Sequence, residues 1–235
     1  MRYAIYFTPP KESQLTRLAA SWLGRDPFDG ASVAPPPVTG LTSGEIAFHT
    51  AAARRYGFHA TLKAPFELAS SETEAGLAEA VAEFAANVAP FVIPRLVIGQ
   101  IDRFFALLQS EPVAELDALA GSVVKAFDRF RSPMTEAEIE RRNPDALSAE
   151  EFRNLCQWGY PYVFDTFRFH MTLTGRVAAG EAPRVRAALD EVFGAVLTEP
   201  VAVDGVALFV EPEAGAPFTI HSWCGFEPRR QRKSA

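Results

Sequence analysis

Cysteine is scarce in this chain: Cys156 and Cys224 are the only two in 235 residues. Two thiols are too few for a disulfide framework, and neither has a Cys or His at metal-ligand spacing. Each reads as a reduced, buried small hydrophobe rather than a catalytic thiol. Long apolar runs are missing too. No stretch reaches the roughly 18 residues that a membrane-spanning helix needs, and the apolar start, Met1 to Pro10, is too short for a secretory signal. The expected location is the cytoplasm, with no membrane partner. The 15 glycines nowhere form G-x-x-x-x-G-K-S/T or G-x-G-x-x-G, so the usual nucleotide-cradling loops are excluded. Positive charge is also in deficit. The net charge is −6, and four of the basic residues, Arg229, Arg230, Arg232 and Lys233, sit at the end. The first 228 residues carry 19 basic and 29 acidic side chains, a body that argues against long nucleic acid as a partner. The tail over 229–235 reads as a solvated terminus.

What remains is ordinary for a soluble globular protein: 48% hydrophobic and 22% charged residues. The length suits one large domain or two small lobes. Met1 to Thr8 alternates and reads as a strand. Leu15, Leu18, Ala19, Trp22 and Leu23 recur at helical spacing. The proline-rich stretch over 24–42 reads as a long loop. Phe58 to Leu68 reads as a strand, and Ser71 to Val88 as a helix with a capping box from Ser71 to Glu74. Two strands over 91–101 and 103–109 and a helix over 112–130 follow. The segment 132–164 is an insertion with the aromatic residues Trp158, Tyr160 and Tyr162. A strand over 166–177, a helix over 182–197 and strands over 201–209 and 217–226 close the chain. Strand, helix, strand, strand thus occurs twice, predicting an α+β chain of two similar lobes, about 43–130 and about 165–228, with the N-terminal strand joining one sheet.

There are four histidines, His49, His59, His170 and His221. Two share a context: Phe58-His59-Ala60-Thr61-Leu62 and Phe169-His170-Met171-Thr172-Leu173. With 13 Thr and 18 Leu in the chain, any one His is followed by x-Thr-Leu by chance about 0.4% of the time, and two of four about once in ten thousand chains. Both motifs open a repeat. Strand alternation puts His59 and Thr61 on one face and His170 and Thr172 on one face, with Ala60, Leu62, Met171 and Leu173 opposite. If the lobes pair about a pseudo-two-fold axis, the four polar residues meet across one cleft. Two imidazoles there suit phosphodiester chemistry without a metal: one takes a proton and the other gives one, while the Thr hydroxyls donate to non-bridging phosphate oxygens. His49 and His221 have no such context and read as structural, with His221 the one placed in a strand that can reach the cleft.

The two motifs, about 110 residues apart, resemble those of the two-histidine (2H) phosphoesterase superfamily, which includes cyclic nucleotide and RNA 2′,3′-cyclic phosphodiesterases. More narrowly, Arg54-Arg55-Tyr56-Gly57-Phe58-His59-Ala60-Thr61-Leu62-Lys63-Ala64-Pro65-Phe66 and Phe167-Arg168-Phe169-His170-Met171-Thr172-Leu173-Thr174-Gly175 are similar to a bacterial branch often encoded within phosphonate-utilisation operons. The resemblance implies a bilobal duplicated α+β fold, with two mainly antiparallel sheets flanking a cleft and helices outside. It implies catalytic roles for His59, Thr61, His170 and Thr172, no cofactor, and a small phosphorylated substrate.

Strand parity extends the expected site to Lys63 on the first strand and to Arg168 and Thr174 on the second. Arg54, Arg55 and Tyr56 are expected at the rim. Tyr160 and Tyr162 suit either base stacking or a packed loop. The loops over 24–42 and 132–164 each precede a motif strand and are expected to narrow the cleft. The expected activity is hydrolysis of a small sugar or nucleoside cyclic phosphate. The alternatives are an RNA-end 2′,3′-cyclic phosphodiesterase, disfavoured by the acidic body, and a non-catalytic phosphate-ligand binding protein. Which histidine is the base, and the oligomeric state, stay open at this point.

Overall fold

The computed structural model describes residues 1–227; the basic tail over 229–235 lies outside them. The chain is α+β, with one seven-stranded antiparallel sheet, a two-stranded sheet and helices around them. Strand β1 (Arg2–Phe7) leads to helix α1 (Gln14–Leu23), where the apolar spacing buries Leu15, Ala19, Trp22 and Leu23 before Gly24 stops the helix in the left-handed region at φ 78°. Helix α2 (Ser43–Tyr56) is not visible in the apolar pattern. It is held by a reciprocal cap in which the Thr42 hydroxyl accepts from Glu45 N–H and the Glu45 carboxylate accepts from Thr42 N–H.

The first motif then enters β2 (Ala60–Phe66), followed by α3 (Glu74–Ala86). The cap of α3 is Thr73, which accepts from Gly76 N–H; the expected box from Ser71 does not form, because the Glu74 carboxylate is taken by the Tyr3 hydroxyl at 2.7 Å. Strands β3 (Phe91–Ile93), β4 (Leu96–Ile101) and β5 (Phe104–Gln109) precede α4 (Ala114–Phe127). The insertion carries two helices, α5 (Glu136–Glu140) and α6 (Ala149–Trp158). After it come β6 (Met171–Thr172), α7 (Ala182–Phe193), β7 (Val201–Val203), β8 (Gly205–Glu211) and β9 (Thr219–Gly225).

The large sheet runs β4-β5-β6-β2-β1-β8-β9, and β3 pairs with β7. The two sheets expected from the repeats are the two halves of this one sheet. They join where β2 meets β6, at the single pair Ala60↔Met171. The halves are not the contiguous segments 43–130 and 165–228. Strands β4 and β5 of the first repeat pair onto the second motif strand, whereas β8 and β9 of the second repeat reach the first motif strand through β1. The expectation followed the tendency of consecutive strands to neighbour one another. Here the two hairpins are exchanged, and local sequence does not name a strand's partner.

One face of the sheet packs on the helices in a large core that includes Ile5, Phe7, Leu62 and Met171. The other face carries a small cluster of Ala4, Tyr6, Ala207, Phe209 and Phe218. Trp22 locks α1 to the end of the second motif strand: it is fully buried, and its Nε1–H donates to the Leu173 carbonyl at 2.9 Å. Replacing Trp22 with Ala is expected to cost about 3–5 kcal/mol. Urea denaturation monitors this, and an unchanged midpoint would contradict the packing described.

Candidate functional site

The seam between the sheet halves brings the two motifs together. Ala60 faces Met171, the one pair that joins the two motif strands, and the residues on either side of it, His59, Thr61, His170 and Thr172, alternate onto the other face. All four residues line one cavity of about 1170 Å³.

Both histidines are held in the same way. His59 Nδ1 is 2.9 Å from the Gly57 carbonyl, and His170 Nδ1 is 2.8 Å from the Arg168 carbonyl, two residues back in each case. A carbonyl only accepts, so each Nδ1 carries a proton and each neutral ring keeps its lone pair on Nε2. Gly57 makes the first clamp possible. Its φ of 76° and ψ of 178° suit glycine, and the Pro27 ring lies 2.7 Å from where a Cβ would stand.

The surroundings of the two rings differ. His59 stacks on Tyr6, with centroids 3.9 Å apart and planes 20° from parallel, and Tyr56 and Phe209 lie nearby. Burial pushes the His59 pKa down to about 4; the Gly57 hydrogen bond opposes this and the charge on His170 adds to it. His170 has Phe104 as its aromatic neighbour, at 5.9 Å.

Several residues expected in the cleft do not reach it. Lys63 is buried against α4: its Nζ is 3.1 Å from Asp128 and 3.4 Å from the Val124 carbonyl. The reason is a β-bulge. Tyr6 pairs with Thr61 but Ile5 pairs with Lys63, so Leu62 is an extra residue and the parity of β2 flips. Ala64 lines the cavity in place of Lys63.

The Arg168 side chain is absent from the cavity lining, because β6 begins only at Met171 and strand parity does not extend back to 168. What Arg168 supplies is its carbonyl. Thr174 lines the cavity, but its hydroxyl accepts from Phe105 N–H and donates to the Gly175 carbonyl. Tyr56 lines the cavity and stacks on Phe218. Arg55 is drawn instead to the buried Glu211 and Arg54 to the Leu23 carbonyl, Thr50 and the Ala47 carbonyl.

The insertion supplies much of the cavity wall, including Met134, Arg142 and Tyr160, as expected. The loop over 24–42 supplies none; Arg25 and Pro27 brace the motif from behind, through the Phe218 carbonyl and Gly57. Tyr162 is exposed and outside the lining, as is His221, which lies 3.7 Å from Glu74. His49 is buried beside Glu181.

The sequence reading missed five arginines on the cavity wall: Arg2, Arg131, Arg141, Arg142 and Arg176. Tyr6 was missed too, although the alternation of β1 carries it. The Arg141-Arg142 pair within an insertion already assigned to the cleft mouth was the one available signal for the cations. Among the described residues, no three His, Cys, Asp or Glu side chains gather as a metal-ligand set, and no helix is long and apolar enough to cross a membrane.

An α+β fold whose central seam presents two matched His-x-Thr pairs to one arginine-lined cleft defines the class. The chain belongs to the family described as "Protein of unknown function (DUF1045)", whose model matches residues 61–219. It is similar to the protein named ribose 1,5-bisphosphate phosphokinase PhnN from Janthinobacterium sp. (strain Marseille), 36% identical over 237 residues, 99% of this chain and 52% of that protein. It is also similar to the protein of that name from Laribacter hongkongensis (strain HLHK9), 38% identical over 220 residues, 94% of this chain and 50% of that one. The chain therefore spans about half the length of the curated relatives it matches. Among solved structures, TT0787 of Thermus thermophilus aligns over 98% of this chain and 100% of that one, at TM-score 0.45 and 20% identity. E. coli LigT complexed with 3′-AMP aligns over 96% and 97% of the two chains, at TM-score 0.42 and 15% identity.

Lys63 and Asp128 give the site a stability test. Asp128→Ala strands a buried ammonium and is expected to cost about 3–5 kcal/mol. Lys63→Met should cost less, since Asp128 keeps Arg131 at 3.0 Å. Equal shifts in urea midpoint would refute this account of the pair.

Proposed function

We propose that this chain is a metal-independent phosphoesterase that hydrolyses a small cyclic phosphate, a sugar or nucleoside cyclic phosphodiester, by two-histidine general acid–base catalysis. The observation that carries the proposal is the matched clamp: two imidazoles that line one cavity with two threonines are each pinned through Nδ1 to a carbonyl, which leaves Nε2 for the chemistry. His59 is the base, because burial keeps it unprotonated at neutral pH. Its Nε2 takes a proton from water as the water oxygen bonds to phosphorus. His170, charged, gives its Nε2 proton to the ring oxygen as that P–O bond breaks. The Thr61 and Thr172 hydroxyls donate to the non-bridging oxygens, where charge accumulates. Proton exchange with solvent resets both rings.

The printed name of the curated relatives concerns a phosphorylated ribose, which supports ribose as the scaffold. Their kinase activity does not extend to this chain, which has no phosphate-cradling glycine loop. The branch that the motifs resemble supports a role in phosphonate breakdown. The arginine-lined cavity also favours a second reading, an RNA-end 2′,3′-cyclic phosphodiesterase, against which the acidic body weighs.

His59→Ala and His170→Ala should each lower kcat about 10²–10⁴-fold with the circular dichroism spectrum unchanged. Near wild-type turnover by either variant sinks the mechanism. Activity should survive exhaustive EDTA; loss restored by Zn²⁺ would point to a metal hydrolase.

The pH profile separates the two histidines. Protonation of His59 removes the base, so kcat/KM should fall as pH drops through about 4. An acid limb near the ordinary imidazole value of about 6.5 would move the base role away from His59. A small cyclic phosphate should react with little salt dependence, whereas an RNA oligomer with a cyclic end should react slowly and salt-sensitively. Preference for the oligomer at physiological salt would promote the RNA reading.

A further inference from the structure

We infer that the cleft holds a second anion subsite, built by Arg141, Arg142 and Tyr160, and that the substrate is a small cyclic phosphate carrying a second, non-reacting phosphate. The inference rests on the phosphoesterase reading and names the substrate class of that same site.

Charge makes the first argument. In a chain of net charge −6, five arginines and two glutamates line the cavity. Two of the five are committed. Arg2 Nε is 2.5 Å from Glu211, and Arg131 is consumed by Asp128 and by the carbonyls of Ser132 and Gln157. Of the two acids, Glu138 caps α5 through the Thr135 N–H and hydroxyl and keeps its charge, its carboxyl held below the ordinary value by those bonds and by Arg141 and Arg142 nearby; Glu67 makes no ion pair among the described residues. Arg141, Arg142 and Arg176 make no ion pair among the described residues. A cyclic phosphodiester bears one negative charge, already served by His170 and two threonine hydroxyls. Against Glu67 and Glu138 these three arginines leave a surplus of one positive charge, and their uncommitted guanidiniums fit a second anion.

Position makes the second argument. Arg141 ends α5, and Arg142 follows; Asn143, left-handed at φ 52°, and Pro144 then turn the chain. The Arg142 guanidinium lies over the Tyr160 ring, 5.9 Å from its centroid. Burial pushes the Tyr160 phenol up to about 12 despite the pull of Arg142, so it stays protonated and able to donate. Tyr160 is near enough to Tyr6 and Tyr56 for these phenols to raise one another's pKa, which puts the subsite on the His59 side of the cleft. Paired guanidiniums match the geometry of phosphate oxygens. A cation over Tyr160 also covers a ring face that a nucleobase would need.

Size makes the third argument. At about 1170 Å³ the cavity exceeds the roughly 300–1,000 Å³ usual for drug-sized ligands, so one ribose cyclic phosphate leaves room for a second phosphate.

The test compares kcat/KM for ribose 1,2-cyclic phosphate with and without a 5-phosphate. The 5-phosphate should raise kcat/KM on the order of 10–100-fold in the wild type, and Arg141→Ala/Arg142→Ala should bring that ratio close to one. A wild-type ratio near one, or a ratio that survives the double substitution, overturns the subsite. So does faster turnover of adenosine 2′,3′-cyclic phosphate than of the phosphorylated ribose. A binding arm separates this from the catalytic reading. Calorimetry should find ribose 1,5-bisphosphate bound more tightly than ribose 1-phosphate by a similar factor, lost in the double variant. Equal affinities overturn the subsite. Preferential binding of the bisphosphate without hydrolysis of either cyclic phosphate overturns the phosphoesterase reading and upholds the subsite.

Discussion

Everything at the centre of this fold depends on one antiparallel pairing, Ala60 with Met171. The seam is a single residue pair wide, and a pseudo-two-fold axis through it maps His59 onto His170 and Thr61 onto Thr172. Because side chains alternate along a strand, the residues flanking the seam pair share one face. A slip of one residue in this register would send the His and Thr of the slipping strand to the helix side. The buried Ala60 and Met171 side chains resist that slip, since each belongs to the main core. The short seam is braced by β1 on one side and β5 on the other, and by Trp22, which ties α1 to Leu173 at the end of the second motif.

Symmetry of backbone does not produce symmetry of environment. The carbonyl clamp is the same on both rings, but the strands outside the motifs are not. β1 lies beside β2 and supplies Tyr6, whose ring covers His59; β5 lies beside β6, and Phe104 at its start stands farther from His170. Desolvation disfavours the charged form of a histidine, so the more enclosed ring is the one biased toward neutrality. Two like scaffolds thus carry unlike neighbours, which is what the proposed division into acid and base rests on.

The histidine pair was legible because it is a local signal that occurs twice. The apolar stripe of α1 and the alternation of β1 were legible for the same reason: each is periodic within a few turns of chain. What escaped depends on partners distant in sequence. Lys63 looks cleft-facing by parity, and only the register against β1 reveals Leu62 as the extra residue that turns it inward. The exchange of β4–β5 and β8–β9 between the sheet halves is a choice of pairing partner, which no single strand encodes. Helix α2 hides because its sequence is mostly alanine and polar residues, with little apolar contrast; its cap, Thr42 to Glu45, was the readable sign.

Net charge describes the body as a whole and not the site. A body with more acidic than basic side chains keeps polyanions at a distance, while a cavity walled by guanidiniums concentrates field lines and draws small anions in. The two properties work together rather than against each other. On the proposed reading, a long nucleic acid would lay many phosphates along the acidic body, whereas a small phosphorylated sugar would meet only the cavity. The fold achieves this by placing its arginines on the insertion and at strand ends around the seam, and by spending several of them on internal partners, Arg2 on Glu211 and Arg131 on Asp128. The positive lining of the cavity is thus set by where the cations lie, not by how many the chain contains.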